Sequence, residues 1–195
     1  KVTDFSFMFS NCEGLDTLDV AGFKTSSATD LQSMFEYCTA LTKLNVSYNS
    51  VVDLSPLASC TNLTWLHAGN NSISTVTAVD QLPNLQYLAL SYNNIADIAI
   101  LKNCTSLTEL YISNNLLTSV TALNDHTKLQ VLDFAHNDDH EVPYWQNGGD
   151  LRIIDGSYNR IESVDTLWNM NSLTYVYMDY NELTAVGNLA KCPNL

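Results

Sequence analysis

Leucine occupies positions 41, 63, 85, 107, 129, 151, 173 and 195, and every interval is 22 residues. Asparagine occupies 49, 71, 93, 115, 137, 159 and 181 with the same interval. Two columns in strict phase leave few folds open. Each 22-residue unit is one turn of chain, too small to bury its own apolar side. Stability then comes from stacking the units, so the chain is a solenoid.

Within a unit the text reads L-x-x-L-x-L-x-x-N-x-L, as in Leu85, Leu88, Leu90, Asn93 and Ile95. The stretch between the first and third leucine is a short strand. Alternation turns Leu88 and Leu90 to one face and Tyr87 and Ala89 to the other. A strand of about four residues does not stand alone, but copies stacked at ~4.8 Å pair on both sides. The asparagine follows, where the chain turns. Its amide has donors and an acceptor for backbone groups that the turn leaves unpaired. The remainder, for example Val52 to Ser59, returns on the opposite side, and Ser55-Pro56-Leu57 favours a short helical turn.

This is the leucine-rich repeat signature, and it covers residues 41–195. The expected fold is α/β: a right-handed solenoid with a parallel sheet of short strands on the concave face. Short helical or irregular turns form the convex face. The 22-residue length and the phrase Leu54-Ser55-Pro56-Leu57 followed by Cys60-Thr61-Asn62-Leu63 resemble the internalin-type repeats of bacterial surface proteins. Residues 1–40 carry a longer unit. Met8-Phe9 returns as Met34-Phe35, Cys12 as Cys38, Leu15 as Leu41 and Leu18 as Leu44, always 26 positions on. This wording resembles BspA-like repeats, continuous with the internalin-like array in one solenoid domain. The four additional residues belong on the return segment, because the strand spacing is unchanged. Phe23 stands where the asparagine is due. Lys1 and Leu195 both fall inside a unit, which leads us to expect a piece of a longer polypeptide.

Five cysteines, at 12, 38, 60, 104 and 192, sit three residues before the first leucine of a unit. One column at one register reads as a small buried core position. The alternative, a bridge between neighbouring coils, would use Cys12, Cys38 or Cys60. No C-x-x-C occurs, and no metal or cofactor is expected.

In a solenoid the outward strand residues make one contiguous face. Trp65, His67, Tyr87 and Tyr111 fall there in three successive coils and form the leading candidate for partner binding. Tyr175, Tyr177 and Asp179 form a second patch. Asp133 and Asp155 lie between the two, in adjacent coils. They are read as partner contacts, with a carboxylate-held cation or a salt bridge to Arg152 as alternatives. Tyr48, Tyr92, Tyr158 and Tyr180, next to the turn asparagine, read instead as a ring ladder that stabilises the sheet.

The sixth unit keeps its length and loses its wording. Asp139 stands where Ile or Leu is due, and Pro143 and Gly148-Gly149 oppose a regular return. It reads as an irregular surface loop with solvated charges, and Tyr144 and Trp145 are its candidate partner contacts. His136 and His140 lack the setting of a zincin motif. Gly156 takes an inward strand position, where Phe134 of the preceding coil can fill its space.

Eight basic against 21 acidic residues give a net charge of −13, which disfavours nucleic acid and anionic membranes. No apolar run is long enough to span a bilayer. No Gly-rich phosphate loop, G-x-S-x-G or Cys–His pairing occurs in register. The chain therefore reads as a non-enzymatic binding module. The resemblance implies a secreted or cell-surface bacterial adhesin with a host or matrix protein as ligand. An intracellular scaffold or regulatory subunit is the alternative, and glycan binding is a third.

Overall fold

The structure is a computed structural model, described for residues 5–23, 33–124, 126–145, 148–168 and 170–195. Eight three-residue strands form one parallel sheet in chain order: β1 Thr17–Asp19, β2 Lys43–Asn45, β3 Trp65–His67, β4 Tyr87–Ala89, β5 Glu109–Tyr111, β6 Val131–Asp133, β7 Ile153–Asp155 and β8 Tyr175–Tyr177. Leu18 pairs with Leu44 across 26 residues. From Leu44 opposite Leu66 onward every partner is 22 residues on. A slip of one residue would turn the leucines to solvent, so the buried column holds the register. The central residues Leu44, Leu66, Leu88, Leu110, Leu132 and Ile154 are fully buried. Short 3-10 turns lie opposite the sheet, at Ser55–Leu57, Thr77–Gln81, Ala99–Asn103, Thr121–Leu123, Asp165–Leu167 and Gly187–Lys191. The first five of these carry a buried core residue, Leu57, Val79, Leu101, Leu123 and Leu167, which form the far wall of the core, and Leu189 of the last is half-buried against it. The architecture is the unclosed leucine-rich repeat solenoid expected from the spacing.

The asparagine column behaves as a backbone ladder. Asn93 Nδ2 donates to Leu90 O in its own turn, at 2.8 Å, and to Ala68 O of the preceding coil, at 3.0 Å. Its Oδ1 accepts from Ile73 N–H at 2.9 Å. Asn71, Asn115, Asn137, Asn159 and Asn181 repeat the pattern. One side chain thus satisfies three buried backbone groups that belong to no strand. The residue before each asparagine is left-handed, with φ between 53° and 59° at Tyr48, Asn70, Tyr92, Asn114, His136, Tyr158 and Tyr180. At Phe23 the ladder is replaced: Gly22 takes the left-handed conformation, and Asn49 of the next coil reaches Val20 O at 3.0 Å. In the longer unit the 26-residue echo extends to the backbone. Phe7 and Ser33 are both left-handed, as are Asn11 and Tyr37. Phe9 N–H donates to Met34 O, and the Phe9 and Phe35 rings stack at 5.9 Å. Most of the longer return, 24–32, lies outside the described residues.

The cysteine column is a core column. Cys38, Cys60, Cys104 and Cys192 are buried and Cys12 half-buried, all as free thiols. The Sγ atoms of the four buried ones point at carbonyls of the preceding coil, 3.0 Å from Phe9 O for Cys38 and 3.2 Å from Leu167 O for Cys192. Burial pushes the Cys60 thiol up to about 12 and that of Cys104 up to about 11, so both stay protonated and unreactive at neutral pH. Gly156 is the inward position foreseen. A Cβ there would sit 2.7 Å from Phe134 Cζ and 3.0 Å from Met178 Sδ.

The sixth unit corrects two expectations. Trp145 is not a surface contact. It is buried, and its Nε1–H donates to His126 O at 3.1 Å. Leu101, Leu123, Trp145 and Leu167 are spaced by 22, so Trp145 is the core residue of its return segment. Asp139 is not solvated either. It fills the buried column of Ile73, Ile95, Leu117 and Ile161. Its Oδ1 accepts from Glu141 N–H at 3.2 Å, and among the described residues its Oδ2 accepts from nothing. Burial raises its carboxyl above the ordinary range. Tyr144 is exposed as expected, with its N–H held by Asn124 Oδ1.

Candidate functional site

Strand alternation sends the flanking residues of each β-strand outward, and adjacent strands bring their rings into register. Trp65 lies opposite Tyr87 in the β3–β4 pair, and the two rings stack at 4.8 Å with 14° between planes. That separation matches the ~4.8 Å between neighbouring strands, so the backbone sets the stack. His67 meets Trp65 edge to face at 5.9 Å. Tyr111 reaches diagonally over Ala89 to within 5.5 Å of Tyr87. It is held there by its hydroxyl, which donates to Glu109 Oε2 at 2.9 Å. Trp65, His67, Tyr87 and Tyr111 therefore form one continuous half-buried cluster. Packing lowers the His67 imidazole, against an opposing pull from Asp19, so it is neutral at pH 7. Burial, then the Glu109 charge, raises the Tyr87 hydroxyl. Tyr111 is raised by burial and by its bond to Glu109. The surface is ring-rich, the composition of interface hot spots, with the Glu109 carboxylate at its margin.

Beyond it the face changes character. Val131 and Ile153 pair in register on β6 and β7, as do Asp133 and Asp155. Asp133 Oδ2 accepts from Ser113 Oγ at 2.8 Å, and its Oδ1 from Ala135 N–H at 3.1 Å. Burial outweighs these bonds and raises its carboxyl, and the Asp155 charge adds to the effect. Arg152 pairs with neither. Among the described residues the ion pair is Arg160 to Asp138, at 2.7 Å. Asp133, Asp155 and Asp179 line a groove of about 290 Å³ together with Ser113, Ser157, His136, Tyr158 and Tyr177. Among the described residues no three His, Cys, Asp or Glu side chains converge to hold a metal. Tyr175 and Tyr177 are exposed, with parallel rings 6.3 Å apart. His136, Tyr158 and Tyr180 stack at 4.0 and 4.3 Å past the strand ends, which gives the expected ladder for Tyr158 and Tyr180. Tyr48 and Tyr92 do not join it: Asn70 and Asn114 occupy that column in the neighbouring coils, and among the described residues neither ring stacks on another.

Sequence reasoning missed the roles of Glu109, Ser157 and Tyr158. Glu109 shares its strand with Tyr111 at the i, i+2 spacing that places both on one face, which was readable. Ser157 and Tyr158 lie past the strand, in a turn whose side-chain directions depend on the left-handed residue.

Comparison with known proteins agrees with this geometry. A leucine-rich repeat family model matches residues 61–103 and 83–125. A model described as a Mycoplasma protein of unknown function matches residues 1–62, the part with the longer unit. No curated protein matches the chain in sequence. Among solved structures, internalin C2 from Listeria monocytogenes superposes with a TM-score of 0.85 at 26% identity, covering 94% of this chain and 79% of that one. The functional domain of InlJ from the same species, which includes a cysteine ladder, gives 0.66 at 27%, covering 94% of this chain and 43% of that one. A TLR13–ssRNA13 complex shares the fold at 0.72 and 21%, covering 88% of this chain and 26% of that one. The class is the leucine-rich repeat solenoid. Within it this chain is similar to the Listeria internalins, and its first 62 residues to the Mycoplasma family.

Proposed function

We propose that the concave face binds a protein, and that the chain acts outside the cell as part of a bacterial surface adhesin. The observation that carries this reading is the unbroken cluster Trp65–Tyr87–Tyr111 with His67. Tyrosine and tryptophan give large contact area at small cost in side-chain entropy, and a solenoid presents them on a rigid sheet. The similarity to internalin C2 and InlJ supports an extracellular setting. The same fold holds RNA in the TLR13 complex, so charge decides against nucleic acid here. The outward strand positions carry a single basic residue, Lys43, and the whole chain eight. A regular sheet spreads its titratable groups over an open surface, which suits binding better than catalysis.

The test is the double substitution Trp65→Ala with Tyr87→Ala, read as binding to intact host cells and to purified matrix proteins. We expect loss of binding of about a hundredfold or more, with an unchanged far-UV spectrum. Undiminished binding by the folded variant would place the contact elsewhere. Hits on a glycan array that disappear with the same two rings would favour a carbohydrate ligand instead.

A further inference from the structure

We propose that the groove over β6–β8 receives an arginine side chain of the protein partner, making the concave face a two-part site that reads an apolar anchor and a guanidinium. This rests on the reading of the concave face as protein-binding and adds the partner's chemistry. Three carboxylates, Asp133, Asp155 and Asp179, line the groove, and neither lysine nor arginine does. Asp133 and Asp155 are held side by side by strand register, in a geometry that repels itself until a cation is present. Ser157 supplies an independent sign. It is nine-tenths buried, it lines the groove, and among the described residues its hydroxyl has no hydrogen-bond partner, while its N–H donates to Asp155 Oδ1 at 2.9 Å. Its hydroxyl opens on a groove that three carboxylates also line, and is one more acceptor for a donor-rich group. Arginine answers that set: five N–H donors in a fork, a permanent charge, and a flat face for the rings of Tyr158 and Tyr177. The aromatic cluster on β3–β5 begins three strands away. At ~4.8 Å per strand Trp65 lies about 14 Å from Asp133, a span of roughly four extended residues, while Tyr111 is the register partner of Asp133, so the two parts adjoin.

The experiment uses a fluorescein-labelled hexa-arginine peptide and fluorescence anisotropy, at two salt concentrations, on the chain as it stands. Asp155→Asn with Asp179→Asn should weaken binding about tenfold or more. Glu141→Gln with Glu162→Gln removes the same charge from exposed positions off the sheet and should leave it within about twofold. Asp179→Lys, a reversal at an exposed site, should abolish binding without any demand on the core. Trp65→Ala with Tyr87→Ala should leave it unchanged. Equal losses in the two carboxylate pairs would reduce the effect to net charge and overturn the proposal. So would an absence of wild-type binding. The two readings separate through a peptide selected on the wild-type chain from a random display library. Binding lost with Trp65 and Tyr87 but indifferent to Asp155 and Asp179 would overturn the groove alone. A selected peptide indifferent to all four residues would overturn the concave-face reading itself.

Discussion

Gly156 and Asp139 are single residues whose neighbours, one coil away, decide what they do. Phe134 and Gly156 share an inward column, and the ring fills what the glycine leaves open. Gly156→Leu should therefore lower stability by about 1–3 kcal/mol through overpacking, seen as a fall in melting temperature. Adding Phe134→Leu should recover much of that loss, and an unaltered or raised melting temperature in the single variant would refute the pairing. Asp139 works in the opposite direction. Its column wants Ile or Leu, and burial raises its carboxyl above the unfolded value of about 3.9. Below that pH both states hold the proton and the aspartate carries no charge penalty. As pH rises past it, the unfolded chain releases its proton first, and the folded state loses relative stability. Asp139→Leu should thus stabilise by about 1–3 kcal/mol at pH 7 and by less at pH 4, measured by urea denaturation at both. This residue also shows where sequence reading fails. Its register position marked it as core, while its charge, with the nearby Pro143 and Gly148-Gly149, suggested a solvated loop. Trp145 was misread for the same reason. In both cases position in the 22-residue period outweighs residue chemistry, because a solenoid coil with no inward side chain at that level would open a void against its neighbours.

The element that distinguishes this fold is the asparagine turn, not the strand. Three-residue strands contribute little pairing each, whereas every asparagine of the column from Asn71 to Asn181 links two coils by two donated and one accepted hydrogen bond. Asn93→Ala would leave Ile73 N–H without its partner at a buried turn and take one of two amide donors from the Ala68 and Leu90 carbonyls, which keep Asn71 and Asn115. The expected loss is about 1–3 kcal/mol, and accelerated hydrogen exchange at Ile73 in the preceding coil would locate it. A drop of only a few tenths would show that water replaces the amide. The ladder was legible in advance because its spacing equals the leucine spacing and an amide suits the task. Less legible was the left-handed residue before it. Tyr48, Tyr92, Tyr158 and Tyr180 carry no sign of that conformation in their chemistry, unlike Asn70 and Asn114, which tolerate it locally. The outward strand cluster was legible because alternation alone assigns faces. The acidic groove was only half legible, since Ser157 and Tyr158 enter it from the turn.

At the scale of the whole molecule, a repeat that contacts only its neighbours can be removed as a unit. Excision of residues 93–114 joins Tyr92 to Asn115, which restores the dipeptide Tyr-Asn found at 48–49, 92–93, 158–159 and 180–181. Every core column then closes in phase, and β4 comes to lie beside β6. The shortened chain should fold, with a parallel-sheet far-UV spectrum and a lower melting temperature that reflects one lost interface. Excision of 93–112, two residues fewer, keeps the side-chain parity of the strand but displaces the asparagine and the return core together. It should fail to fold cooperatively. Similar unfolding curves for the two deletions would mean that the 22-residue phase does not hold the structure together. The in-phase deletion also bears on binding. It removes Tyr111, Glu109 and the groove residues Ser113 and Asn114, whose places Ser91 and Tyr92 take, leaves Trp65 on Tyr87, and brings the ring cluster one strand spacing, ~4.8 Å, closer to the Asp133–Asp155 groove. A ligand that engages both parts at once should lose affinity sharply in the shortened chain. Hexa-arginine, which needs the groove alone, should bind it as it binds the full chain.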